Sequence, residues 1–190
     1  ILGDTLNEET KTYVESLNLR LIEVSNGTGA GTFRDALDLA IKENKDSDLV
    51  YLLEDDFLHK PNSKNIIIEG LSKYNGYITL YDHPDKYLNK ENGGNPFIEQ
   101  GGEATRLVKT DSVHWKITNS TVMSFACRTS RIKSDYELIL KHSSDNITDS
   151  FRFFIDLNQI KGIPVLSSVP GYSTHCESSW LSPLTNWNEI

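Results

Sequence analysis

The chain has 190 residues, 37% hydrophobic and 24% charged, with a net charge of −8 and an isoelectric point near 5.1. Those values describe a chain able to bury a sizeable core. The acidic balance argues against a nucleic-acid surface of clustered Lys and Arg, and no apolar run approaches the ~18 residues of a membrane span.

Two cysteines, Cys127 and Cys176, form neither a CxxC pair nor a disulfide framework, which favours a reducing compartment. With no visible signal peptide, the expectation is a cytoplasmic protein. Sequons begin at Asn26, Asn119 and Asn146 at the frequency chance would give, so they carry no message about secretion. The chain opens ILGDT without an initiator Met and reads as a single domain, 1–190, lacking its first strand or belonging to a longer protein.

Residues 19–24, LRLIEV, alternate as a strand. SNGTGAGT (25–32) is a glycine-rich loop, with Thr32 as helix cap and Asp35 three residues on as in a capping box. Phe33, Leu37, Ala40 and Ile41 recur at helical spacing to about Asn44. Residues 48–53 are a continuous apolar run, the pattern of a strand buried on both faces. A short helix over 64–73, a strand over 77–82 and a long polar loop from His83 to about Trp115 follow. A loop of that length is usually a lid or a binding loop. Then come a strand in 120–128, helices over 130–142 and 149–160 closed by Gly162, and a strand over 163–168. The tail from Pro170 shows no clear period. Alternating strands and helices predict an α/β sandwich whose central sheet is mixed but mainly parallel, flanked by helices.

In such a sandwich, ligands bind beyond the carboxyl ends of the strands, and the most apolar strand runs straight into Glu54, Asp55 and Asp56. Three carboxylates there repel each other and lose hydration. A hard cation, Mn²⁺ or Mg²⁺, answers that cost, because it takes one or two carboxylates together with water and substrate phosphates. On an extended chain Glu54 and Asp56 share a face, and Asp56, furthest from the buried run, is freest to reach a metal. The plainer alternative is a strand end that merely caps and solvates its loop. Without a Walker lysine, the glycine loop is no P-loop.

An apolar strand ending in an acidic triplet, about 20 residues after a Gly-rich loop and an amphipathic helix, resembles the GT-A family of nucleotide-sugar glycosyltransferases. Its DxD-type motif, which reads EDD in some members, holds Mn²⁺ or Mg²⁺ against the donor diphosphate. Size and motif order are also similar to those of the small glycosyltransferase domain encoded by chlorella viruses. The resemblance spans most of the chain and implies a GT-A-like, Rossmann-like fold. It further implies transfer of a sugar from a nucleotide-sugar donor, by family expectation a UDP-sugar, to a hydroxyl of a glycan or glycoprotein acceptor.

The resemblance assigns metal contact to Asp56, with Asp55 or Glu54 as second ligand, ribose contact or water-mediated partner. It matches ILGDT to the loop after the first strand, making Asp4 and Thr5 base or ribose contacts. Arg34 would reach the base or diphosphate, or else be a solvent-exposed helix residue. His175, in STHC, would complete the metal shell, or else be structural. Asp149 would be the general base of an inverting enzyme, or else a helix cap. Trp115 is the first choice for stacking on the acceptor sugar, with core packing as the alternative, whereas Trp180 and Trp187 read as core. His59, His83 and His114 have no positional argument, and His142 reads as a charge partner at a helix C-terminus. Two other functions stay open: a carbohydrate-binding module without catalysis, and a metal-dependent phosphoesterase or nucleotidyltransferase using the same acids.

Overall fold

A computed structural model of the chain describes residues 1–96, 102, 104–144 and 147–190. The sequon at Asn146 and residues 97–101 and 103 of the long polar segment lie outside them. In chain order the elements are β1 (Leu2–Asp4), α1 (Glu8–Ser16), β2 (Ile22–Val24), α2 (Gly29–Glu43), β3 (Leu49–Leu52), β4 (Phe57–His59), α3 (Ser63–Lys73) and β5 (Tyr77–Thr79). They continue with β6 (Leu107–Lys109), β7 (His114–Thr118), β8 (Phe125–Arg128), α4 (Thr129–Lys141), α5 (Ser150–Lys161), β9 (Val165–Val169) and β10 (Ser173–His175). No helix among the described residues is long and apolar enough to cross a membrane.

ILGDT is not a loop. Leu2–Asp4 pairs in parallel with β2, and the ladder is closed at both ends by Ile22 N to Ile1 O (2.9 Å) and Thr5 N to Val24 O (3.2 Å). Helix α1 carries almost no hydrophobic period, since Val14 is its one buried residue, and so the pattern hides it. Its start is nonetheless marked: the Asn7 side chain accepts from Thr10 N, and Glu8 and Glu9 occupy the first turn, where the helix dipole favours them. Helix α2 begins inside the glycine loop, one turn earlier than Thr32. Thr28 is its cap, accepting from Gly31 N at 3.1 Å. Two glycines permit this: Gly27 has φ +66, and a Cβ on Gly31 would stand 2.7 Å from the Asn26 Cβ.

The central sheet has six strands in the order β3-β8-β5-β9-β7-β6 and is mixed. The expectation of mainly parallel pairing is corrected: β5–β9 is parallel, and the other four neighbouring pairs are antiparallel. Strand β8 runs against both of its neighbours, and β6–β7 is a hairpin. A short apolar strand has the same residue pattern in either direction, so composition carried no sign of this; nor is β3 buried on both faces as expected, since it is the edge strand of the sheet and only Leu52 is fully buried. The hairpin also breaks up the long loop expected between His83 and Trp115, with Thr110 N bonded to Val113 O across its turn. Strands β4 and β10 make a separate antiparallel pair.

Alternation along the strands feeds two cores. Tyr77, Phe125, Cys127 and Val165 face α2, α4 and α5, where they pack with Leu37, Ile132, Phe153 and Phe154. Ile78, Ala126 and Leu166 face α3 and its Ile66, Ile67 and Leu71. Each fully buried large apolar side chain contributes about 1.5–3 kcal/mol. The result is a three-layer sandwich, and its topology puts the carboxyl ends of β3, β5 and β9 at one edge. Helix α4 leaves the opposite edge, where Thr129 N bonds Asp48 O, and delivers His142 to the carboxyl edge, where its carbonyl accepts from Asp149 N at 2.8 Å.

Candidate functional site

Strand β3 stops at Leu52, and Asp55 and Asp56 form the turn into β4. The acids therefore do not continue an extended chain with Glu54 and Asp56 on one face. Mutual repulsion and the pull of hydration favour a turn there, and β4 then pairs with β10 so that Phe57 lies opposite His175. That register sets the geometry. Asp56 Oδ2 lies 2.7 Å from His175 Nε2, Cys176 N donates to Asp56 O at 2.8 Å, and the Phe57 ring meets His175 edge-on at 5.4 Å. Glu177 Oε2 is 3.9 Å from the other imidazole nitrogen.

Glu54 is exposed as a residue, yet its carboxyl stands close enough to packed protein to lose hydration. Desolvation first, and the Asp56 charge second, push it up to about 7, against a smaller opposing pull from His175. Its amide faces Ser124 Oγ at 3.4 Å.

Among the described residues no group of three or more His, Cys, Asp or Glu side chains is arranged to hold a metal ion by itself. Asp56 and His175 are one oxygen and one nitrogen ligand. The carboxylate, completed by water and substrate phosphate, suits Mn²⁺ or Mg²⁺, and the imidazole nitrogen is the less usual ligand of the two, fitting Mn²⁺ better than Mg²⁺. A cation held by the two would take the place of their direct contact.

The other residues singled out from the sequence are placed as follows. Asp4 is engaged by its own loop: Oδ1 accepts from Thr5 Oγ1 (2.9 Å) and Asn26 N (3.0 Å), and Oδ2 from Thr32 Oγ1 (3.0 Å). Desolvation would raise its carboxyl, but donors from Thr5, Thr32, Asn26 and Gly27 together outweigh it and hold the group below its ordinary value. Asp4 thus ties β1 to the glycine loop and α2, while Thr5 sits just beyond with φ 54. Arg34 donates to the carbonyl of Ser143 after α4. Asp149 caps α5 through Arg152 N (2.9 Å) and is 3.5 Å from Arg152 Nε. It lines a cleft of about 420 Å³ with Lys141, His142 and Asp156, at the same edge of the sheet as the acidic turn.

Trp115 is corrected. It is 1% exposed, packed in the α3-side core, with Nε1 donating to Thr110 Oγ1 at 3.0 Å, so its ring faces no sugar. The end of the long segment, from Leu107, belongs to the β6–β7 hairpin, which carries the indole inward. Trp187 is buried as expected, and Trp180 is half-buried with its ring against His83 at 5.3 Å. His142 does end α4, paired with Asp156 at 2.9 Å.

Beside the acidic turn stands a strained one. Thr121 to Ser124 is closed by Ser124 N to Thr121 O (3.0 Å), with Val122 at φ 45 and Met123 at φ 52. A β-branched residue in the left-handed region costs about 1–2 kcal/mol, and such strain gathers at functional sites. Asn tolerates that conformation. Val122→Asn is therefore expected to stabilise the fold by about 1 kcal/mol, read as a higher urea midpoint at unchanged slope; a lower midpoint would mean the turn is relaxed.

Sequence reasoning missed Ser124, Glu177 and the pair His83–Asp85, whose Nδ1 and Oδ1 lie 2.9 Å apart. Only the D-H-P-D run after β5, with acids on both sides of a histidine, hinted at the last. A scan against protein-family models finds no match for this chain, and a search of curated proteins finds none either.

Proposed function

We propose that the protein is a metal-dependent glycosyltransferase that moves a sugar from a UDP-sugar donor to a hydroxyl of a glycan acceptor. The observation that carries this reading is the Asp56–His175 pair at 2.7 Å beyond the carboxyl end of β3. It joins an acidic strand end to a late histidine, the two parts the GT-A resemblance calls for. Mn²⁺ or Mg²⁺, when bound there, supplies charge stabilisation for the leaving diphosphate. Asp56 and His175 would hold it, Glu54 would add negative charge beside it, and Asp4 keeps the glycine loop in the form that would leave the amino end of α2 open to the nucleotide.

Calorimetric titration of UDP with Mn²⁺ and with EDTA, for the wild type and Asp56→Ala, tests this. Binding is expected only with metal and with Asp56 present. UDP binding indifferent to both sinks the reading. The same pair would serve a phosphoesterase or nucleotidyltransferase, which releases monophosphate or pyrophosphate from the donor rather than UDP. Burial removes two of the three tryptophans, Trp115 and Trp187, from the binding-module alternative.

A further inference from the structure

We propose that the cleft between the end of α5 and strand β7 is a saccharide site that takes a neutral pyranose ring. It stands independently of the glycosyl transfer proposed above and uses none of the residues named there.

The cleft has a volume of about 310 Å³, at the low end of the range for ligand pockets and room for one sugar ring. Arg106, Asn119, Asn158 and Gln159 line it together with Ile117 and Phe154. None of these belongs to the acidic turn or to the cleft at Asp149. Three segments far apart in the chain meet here, and each is fixed by its own backbone. Ile117 N donates to Arg106 O at 3.2 Å, and Thr105 Oγ1 donates to Ile117 O at 2.9 Å, which pins Arg106 against β7. Asn158 and Gln159 lie on the last turn of α5, closed by Gly162 N donating to Asn158 O at 2.9 Å.

Asn119 is held in one orientation. Its Oδ1 accepts from Asn95 Nδ2 at 3.1 Å and from the Lys86 ammonium. An ammonium can only donate, so the carboxamide oxygen faces Lys86 and the N–H pair is left over. Among the described residues Asn119 Nδ2 makes no bond to protein, and neither do the side chains of Arg106, Asn158 and Gln159. The apolar part of the lining is firm: Phe154 is 1% exposed, and its ring packs on Phe153 at 4.6 Å between centroids.

These groups discriminate between ligands. A carboxamide carries donors beside an acceptor, which is what a hydroxyl needs, since it both gives and takes a hydrogen bond. Three carboxamides and a guanidinium therefore suit a molecule dense in hydroxyls, and Ile117 and Phe154 suit the C–H face of a pyranose. The described lining has no Asp or Glu, so a cation or an amine finds no counter-charge. An anion would meet one guanidinium, but also the last turn of α5, the negative end of that helix. A purely apolar ligand would strip water from four polar groups and pair none of them. A neutral sugar satisfies all of them.

The test is an NMR titration of ¹⁵N-labelled protein with the methyl glycosides of glucose, galactose, mannose and N-acetylglucosamine. EDTA is present and nucleotide is left out, so the acidic turn plays no part. At least one glycoside is expected to bind and to move the side-chain amide signals of Asn119, Asn158 and Gln159. Arg106→Ala and Gln159→Ala are each expected to weaken that binding by about five- to tenfold. Both residues are exposed, so the variants should keep the wild-type backbone spectrum away from the cleft. Failure of all four glycosides to bind overturns the proposal, as does affinity unchanged in both variants. Glucuronate binding at least about tenfold tighter than methyl glucoside would make the cleft an anion site and overturns it too.

Discussion

Replacing Lys116 with Met is expected to lower folding stability by about 3–5 kcal/mol, the usual cost of orphaning a buried charge. Lys116 projects from β7 and Asp82 follows β5, with β9 between them, so their contact spans three strands. The ammonium lies 2.5 Å from Asp82 Oδ1, and the side chains are 6% and 0% exposed. Tyr87 completes the group: its hydroxyl reaches both Asp82 oxygens at 3.0 and 2.8 Å, accepts from Lys116 Nζ at 2.9 Å, and its ring lies 4.2 Å below the ammonium. Met keeps the stem and removes the charge, leaving a carboxylate with no water and one hydroxyl. Adding Asp82→Asn to Lys116→Met should recover at least half of the loss, because no ion is then left buried. Urea unfolding at pH 7 reads both. A single-variant loss below 1 kcal/mol would show that water reaches Asp82.

The second large effect is one of pH, and its sign follows from Glu54. Its carboxyl sits at about 7 in the folded protein against an ordinary 4.5. The folded state therefore holds this proton more tightly than the unfolded one. What that contributes to stability is complete below about 4.5 and is lost as pH rises through about 7. In EDTA, thermal stability should accordingly decline between pH 5 and 8, in the part this group supplies. A cation held by Asp56 and His175 would reverse the preference, since it would favour the Glu54 carboxylate. Metal-dependent UDP affinity should then climb by up to about tenfold per pH unit for the proton that Glu54 releases, levelling off above about pH 7. Calorimetry in two buffers of different ionisation enthalpy counts that release. Affinity flat from pH 6 to 8, with no proton release, would remove Glu54 from the site. Glu54→Gln, which removes that proton, should flatten the profile.

Much of the architecture was legible because local physics controls it. The glycine loop and α2, the apolar strand before the acids, and α5 closed by Gly162 all rest on interactions within a few residues. Those interactions are left-handed glycines, helical spacing and caps. Misjudged boundaries were local too: Thr28 outcompeted Thr32 as cap because Gly27 and Gly31 let the chain turn early. Helix α1 and the β6–β7 hairpin escaped because they carry little periodic apolar content, and Trp115 was misread with them.

The acidic triplet, its position after an apolar strand, and the late histidine were determined by the sequence alone, since the cost of crowding carboxylates at an apolar strand end does not depend on what packs nearby. Strand direction, the 2.7 Å approach of Asp56 to His175, and the pairing of His83 with Asp85 under Tyr81 and Trp180 were decided only by the tertiary structure. Each depends on register between segments far apart in the chain, and register is set by how whole faces fit together rather than by any stretch that can be read by itself.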